Sequence, residues 1–299
     1  MKRNKIKLSP ASVVSDGILR AFLIVWTGVV VFPLFWMIYT SVKSKTEFIA
    51  NRFALPKEVW IVNYFTAWNN GTSESSLFRY FLNTFIIVAV STALFIMMVS
   101  ATSYALAKYR FKFSKTIENF YFIAMMIPSV LVLIPLWFQL RTIGSNLVGS
   151  NRIFTDNIFI VSLVYAVQAL PAAIFLLVGF IRSIHNGFIE AAVIDGAREW
   201  TIFSKIILPF IRPILMFLGL GHVMNVWNEY TLARTFLESE KNYTISLGIQ
   251  SIQNAFTYSS EYGALFACLV LSVLPIMVLY IIFQKQIQNG TDASVGIKG

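Results

Sequence analysis

Tyr80–Ala107 reads YFLNTFIIVAVSTALFIMMVSATSYALA, 28 residues without a charge. A helix crossing the hydrocarbon of a bilayer needs roughly 20 apolar residues, so this run is long enough to span. Four more charge-free runs surround it: Ala21–Val42, Asn119–Leu140, Asn157–Ile181 and Tyr262–Gln284. A sixth, Pro213–Asn228, has 16 residues. It reaches spanning length if it begins at Leu208 and Arg212 snorkels to the interface. Asn242–Ser260 is also uncharged, but its Asn, Gln, Ser, Thr and Tyr content marks it as an external loop that could carry a short surface helix. The chain as a whole is 57% hydrophobic and 13% charged. A soluble domain carries about a quarter charged residues, so much of this surface faces lipid. The expected fold is all-α and polytopic, with six transmembrane helices.

The boundaries follow from the same runs. A basic tail covers residues 1–17, the first transmembrane helix 18–42 and an external segment 43–77. A transmembrane domain covers 78–285, with spans at 80–107, 119–140, 157–181, 208–230 and 262–284. A polar tail, not expected to be helical throughout, occupies 286–299. Lys2, Arg3, Lys5 and Lys7 precede the first span, as in a signal peptide. Its apolar run is longer than a signal core, however, and bulky Phe35, Trp36, Met37 and Tyr39 stand where a cleavage site would be, so a retained anchor is expected. Lys and Arg favour the cytosolic side. With the N-terminus inside, 15 basic residues fall inside and 9 outside, which places both termini in the cytosol. On this placement most of the net charge of +10 is membrane topology rather than a nucleic-acid footprint. Cys268 is the single cysteine and lies in the last span, so no disulfide framework exists.

The longest cytosolic connection, Arg182–Ile207, carries an ordered pattern. Phe188, Ala191 and Ala192 share a helical face. Gly196 follows as a helix stop, Trp200, Phe203 and Ile207 recur at helical spacing, and Pro209 suits the first turn of the next helix. The expected form is an amphipathic helix–turn–helix between spans four and five, followed by a sharp entry into span five. None of the 15 glycines belongs to a G-x-x-x-x-G-K-[ST] phosphate loop. The chain therefore has no means of its own to use ATP, whereas a short helix seated in a partner's groove could receive rigid-body motion.

In this loop Glu190-Ala191-Ala192 is followed by Asp195-Gly196-Ala197, and then by Ile206-x-Leu208-Pro209. The pattern resembles the E-A-A…G…I-x-L-P signature of permease subunits of binding-protein-dependent ABC importers, and Ile194-Asp195-Gly196-Ala197 resembles their carbohydrate branch. Asn83-Thr84, Tyr104–Phe111, Ile127-Pro128, Ile134-Pro135-Leu136, Leu170-Pro171, Trp227-Asn228-Glu229 and Gly296–Gly299 agree with that branch. The likeness runs from about Asn63 to the end and is nearest to the smaller, six-span permease of maltose-type sugar importers. Ser183–Asn186 departs from it, since the family often has a proline there. The resemblance implies a prokaryotic cytoplasmic membrane protein that pairs with a second, different permease subunit. It implies that an ABC ATPase dimer takes the loop and binds ATP and magnesium, this chain holding no cofactor or metal. It also implies that an external solute-binding protein delivers a sugar or oligosaccharide. The cargo could instead be a non-sugar solute. An ion-driven secondary transporter is a further reading, but such proteins favour acids or paired charges at mid-membrane, and these spans hold none.

Candidate path residues are polar groups within spans. His222, Asn225 and Asn228 share one helical face at spacing three. Asn83 and Tyr104 join them, with Gln139 and Gln168 as weaker members. Each has a plain alternative in helix–helix hydrogen bonding. Trp36, Trp137 and Trp227 could stack on a sugar, although an interfacial belt is the commoner role. Glu229 sits at a helix end and is not expected to carry protons.

Overall fold

The structure, a computed structural model, describes residues 10–69, 75–150 and 152–295, with backbone alone for 10–15 and 286–295. Lys2, Arg3, Lys5, Lys7 and Gly296–Gly299 lie outside the described residues. Among those described there are helices and no strand. Six of the helical stretches are long and apolar enough to cross a membrane. The chain divides into two compact units, Met1–Trp68 with Gln253–Leu271, and Asn69–Ile252 with Ser272–Gly299.

In the first unit α1 (Pro10–Ser41) is apolar on every side and none of its most apolar window is buried. That is the pattern of a helix surrounded by lipid. It starts within the expected tail, because Pro10 fits a first helical turn and the residues after it continue without a break. Two short helices follow, α2 (Lys45–Ala50), capped by the Ser44 hydroxyl, and α3 (Val62–Asn69). The expected external segment is thus partly helical. Its fold is held by buried polar groups that find backbone partners. Asn63 donates to the carbonyls of Ser41 and Lys43, each at 2.8 Å. The Lys43 ammonium donates to the Asn51 and Arg52 carbonyls at 3.1 Å. Burial lowers the Lys43 pKa, opposed by the Glu47 carboxylate.

The second unit is a bundle around α4 (Leu77–Lys108) and α7 (Ile158–Ser183). Both begin on capping side chains, Ser76 and Asn157. Small hydroxyls in these helices bond back to their own turns, as Ser100 does to the Ile96 carbonyl at 2.7 Å and Ser162 to that of Ile158 at 2.7 Å. These two hydroxyls are thus satisfied by their own helix, whereas those of Thr92 and Ser103 in α4 are buried without a hydrogen-bond partner. Phe95, Val99 and Leu106 of α4 share one core with Ile174, Leu177 and Ile181 of α7.

Two expectations need correction beyond α4, and the expected tail carries more helix than its composition suggests. The span expected at 119–140 is two helices, α5 (Ser114–Met126) and α6 (Ser129–Val148). Pro128 has no N–H to continue α5 and holds Ile127 extended at φ −83, ψ 121. α6 then runs on through half of the connection expected at Arg141–Asp156. The supposed loop Asn242–Ser260 contains α12 (Ile245–Ser259), whose Ile245, Leu247 and Ile252 are buried. Gly248 lies against the Tyr80 ring, where any Cβ would collide with it. Finally, the last helix α13 (Tyr262–Val295) runs through most of the tail expected at 286–299.

Candidate functional site

The loop Glu190–Pro209 opens with α8 (Gly187–Ile194). Gly196 ends it at φ +75, in the left-handed region that favours glycine, and the Ala197 N–H closes back on the Ala192 carbonyl at 2.9 Å. A single turn, α9 (Glu199–Ile202), follows. Ala192, Ile202 and Ile207 are buried in the core shared by α4 and α7. The loop is therefore a packed part of the bundle. Its outer face is apolar as well: Ile194 is 86% exposed and Trp200 74%, with Phe188 and Val193 beside them. Of the three residues at helical spacing, Ile207 is buried, Phe203 half-buried and Trp200 exposed, and Ile202 joins Ile207 in the core. Glu190, Ala191, Asp195 and Gly196 are exposed, while Ala197, Ile206 and Leu208 are half-buried.

The expected sharp entry at Pro209 is absent. Glu199–Asn228 is one helical stretch, joined through a π turn at Phe203–Ile207 to α10 (Leu208–Asn228). The Leu208 N–H reaches back five residues to the Phe203 carbonyl. Pro209 cannot donate to a preceding turn, and the wider π turn accommodates it without a break.

The C-terminal end of α4 moors this loop. Lys108 donates to the Ile184 carbonyl at 3.1 Å and to Asn186 Oδ1 at 2.9 Å. Tyr109 donates to Glu199, and the Tyr104 hydroxyl reaches the same carboxylate at 3.4 Å. Burial, and then the bond to Glu199, raise the Tyr109 pKa and keep its hydroxyl protonated. Tyr104, a candidate for the path, is thus placed beside the loop and away from His222 and Asn225. Arg182 forks onto Glu118 of α5 at 2.7 and 2.8 Å.

Polar path candidates gather around a cavity of about 580 Å³. The break at Ile127-Pro128 lines one side, with Tyr165 and Gln168 of α7, His222 and Asn225 of α10, and Glu229 just past the end of α10. His222 stacks on Phe95 at 4.5 Å and lies 3.3 Å from the Ser91 hydroxyl, so it also serves helix packing. Glu229 accepts from the Tyr165 hydroxyl at 2.6 Å and from the N–H groups of Leu232 and Ala233 at 2.7 and 3.1 Å. It caps α11 (Thr231–Phe236). Like Tyr104, two further candidates stand apart. Asn228 is exposed and donates to the Met224 carbonyl at 2.8 Å. Asn83 is buried and donates to the carbonyls of Lys241 and Tyr243 at 2.8 and 3.0 Å. Trp227 is buried between Phe81 and Phe85, and its indole donates to the Ser272 carbonyl at 3.2 Å. Sequence reasoning missed Tyr165. Its one signal was position, three residues before Gln168 on the same face of α7.

Known proteins share this architecture. A diacetylchitobiose uptake system permease of Streptomyces coelicolor is 31% identical over 96% of this chain and 92% of its own length. An arabinooligosaccharides transport permease of Bacillus subtilis is 28% identical over 98% of this chain and all of its own length. Among solved structures, a chain of a bacterial ABC transporter involved in alginate import superimposes with a TM-score of 0.79 at 20% identity, covering 94% of this chain and 99% of that one. At that identity it shows the fold. Residues 98–292 match the family described as binding-protein-dependent transport system inner membrane component, and this chain belongs to that family.

Proposed function

We propose that this chain forms half of the translocation path of an ATP-driven importer for a sugar or oligosaccharide. A second, different permease subunit forms the other half, and an external binding protein delivers the solute. The N-terminus and the loop Glu190–Pro209 lie on the cytosolic side. An ABC ATPase dimer docks there and supplies ATP and magnesium chemistry that this chain lacks. The observation that carries this reading is the apolar outer face of α8 and α9: Ile194 and Trp200 are exposed on a loop whose inner face is locked in the core. Exposed apolar side chains clustered in this way mark an interaction surface. The cavity is lined in part by Gln168 and Asn225, whose amides suit sugar hydroxyls, and the names of the relatives favour sugars.

Expression with its partner genes and reconstitution in liposomes tests the proposal. Uptake should require ATP and the binding protein, and Ile194→Glu should release the ATPase from the purified complex. Uptake driven by a proton or sodium gradient without an ATPase would overturn it. A panel of sugars, amino acids and phosphates separates a sugar cargo from another solute.

A further inference from the structure

Glu199 stands in the first turn of α9 and is met by two hydroxyls from the last turns of α4, those of Tyr109 and Tyr104. An aromatic chain follows the same line. Tyr109 meets Tyr104 edge-on at 5.6 Å, Tyr104 meets Phe203 at 5.1 Å, and Phe203 meets the exposed Trp200 at 5.7 Å. Lys108, next to Tyr109, holds the opposite limb of the loop at Ile184 and Asn186. One helix end therefore grips the chain before α8 and again at the start of α9. The two grips differ from the loop's own closures, which are local backbone bonds.

We propose that Tyr109 and Glu199 form a latch that makes the α8–α9 loop and α4 move as one body. The proposal rests on the reading above, that this loop receives motion from an ATPase. Both are positioning residues: Tyr104 and Phe203 supply apolar contact, Lys108 fixes the other limb, and the Tyr109–Glu199 bond fixes the angle between loop and helix. Without it the loop can tilt while α4 stays behind, so ATP is still hydrolysed and less solute moves.

The test uses the whole transporter in liposomes with its ATPase, second permease and binding protein, reading solute moved per ATP hydrolysed. Tyr109→Phe should lower that ratio about fivefold, the size of one hydrogen bond to a charged group at a partly wet site. The ATPase should still co-purify. Glu199→Gln keeps a carbonyl acceptor and should retain most of the ratio. Glu199→Ala combined with Tyr109→Phe should be no worse than the poorer single variant, because both remove the same bond. An unchanged ratio in Tyr109→Phe, or additive losses in the double variant, overturns the latch. A loss of hydrolysis or of assembly would make the pair merely structural and also overturns it. A covalent form gives a second readout. Tyr109→Cys with Glu199→Cys, bridged by a short bis-methanethiosulfonate from which each thiolate displaces a sulfinate to form a disulfide, should restore coupling that the unbridged pair has lost. If the bridge blocks transport, loop and helix must separate during the cycle and the latch is wrong. The coupling reading is tested apart from the latch by the unmodified transporter: uptake without ATP there defeats both, whereas ATP-dependent uptake with a normal Tyr109→Phe ratio defeats the latch alone.

Discussion

The two ends of α4 are held in opposite ways. At the Leu77 end, side chains bond to backbone. Asn83 donates to the Lys241 and Tyr243 carbonyls, and the Thr84 hydroxyl accepts the Ile245 N–H at 2.7 Å, all of it buried or nearly so. At the Lys108 end, the bonds from side chain to side chain are open to water: Lys108 to Asn186, Tyr109 to Glu199 and, beside them between α7 and α5, Arg182 to Glu118. Burying a polar group without its partner costs more than the bond itself returns, so the first kind of contact resists breaking. The second kind exchanges readily with water. One end is built as an anchor and the other as a joint.

The largest effect should come from the anchor. Asn83→Leu removes two buried bonds and leaves two carbonyls with one partner fewer, at a cost of about 3 kcal/mol. Folded yield after mild detergent extraction should fall sharply. A normal yield would show that the segment around Lys241–Tyr243 does not depend on α4, and the contrast between the ends would fail. Asp156 ties the same segment from the other side. Its carboxylate accepts the Glu238 and Ser239 N–H groups at 3.0 and 2.9 Å and the Ser239 hydroxyl at 2.5 Å. Asp156→Ala should cost about 2 kcal/mol. Burial alone would raise the Asp156 pKa, but the bonds from Ser239, Asn242 and Glu238 outweigh it and leave it lowered. Its contribution is therefore complete above the ordinary carboxylate value near 4 and is lost as pH falls from there toward the lowered native value. The gap between thermal scans of wild type and Asp156→Ala should begin to narrow as pH falls below about 4 and close only below the lowered native value. A gap that stays constant with pH would show that the charge carries none of the effect.

What sequence could and could not show divides along similar lines. The spans were legible because a bilayer demands uncharged length, and that demand is written residue by residue in Tyr80–Ala107. Gly196 was legible because a helix end needs positive φ, a local requirement met by one residue. The break at Pro128 was visible as a proline, but its neighbours are apolar enough to pass as an unbroken span. α12 was hidden because its buried positions, Ile245, Leu247 and Ile252, are embedded in polar residues, so composition outweighed periodicity. Asn83 and Tyr104 were assigned by polarity to the path. Their partners lie 158 and 95 residues away, and only tertiary structure shows that those partners are loops at opposite ends of α4. Tyr165 and Glu229 meet across 64 residues for the same reason.

At the joint, effects should be smaller. Gly196→Ala forces a Cβ into the left-handed region, a strain of about 1 kcal/mol, although nothing lies within 4 Å to clash with it. Overall folding should survive, with the loss visible as faster protease cleavage within Glu190–Pro209. Gly196→Asn, which tolerates that backbone better, should lie between the two. If alanine and asparagine behaved alike, φ would not be the reason for glycine here.

Smallest of all should be the loss of the Arg182–Glu118 fork. Its geometry is good, two nearly parallel bonds of 2.7 and 2.8 Å, and Arg182 also reaches the Leu106 carbonyl at 3.4 Å. Yet the two side chains are 47% and 30% exposed. Ion pairs open to solvent contribute under about 1 kcal/mol, because water solvates the separated charges almost as well. Arg182→Met should therefore shift the denaturation midpoint in detergent by little, and the shift should shrink further at high salt, where such pairs are screened. The methionine keeps most of the apolar stem in place, so the measurement isolates the charge. If Arg182→Met instead lowered folded yield as far as Asn83→Leu, the exposed end of α4 would be as much an anchor as the buried one. A loop mounted on that end could not then change its angle without unfolding part of the bundle.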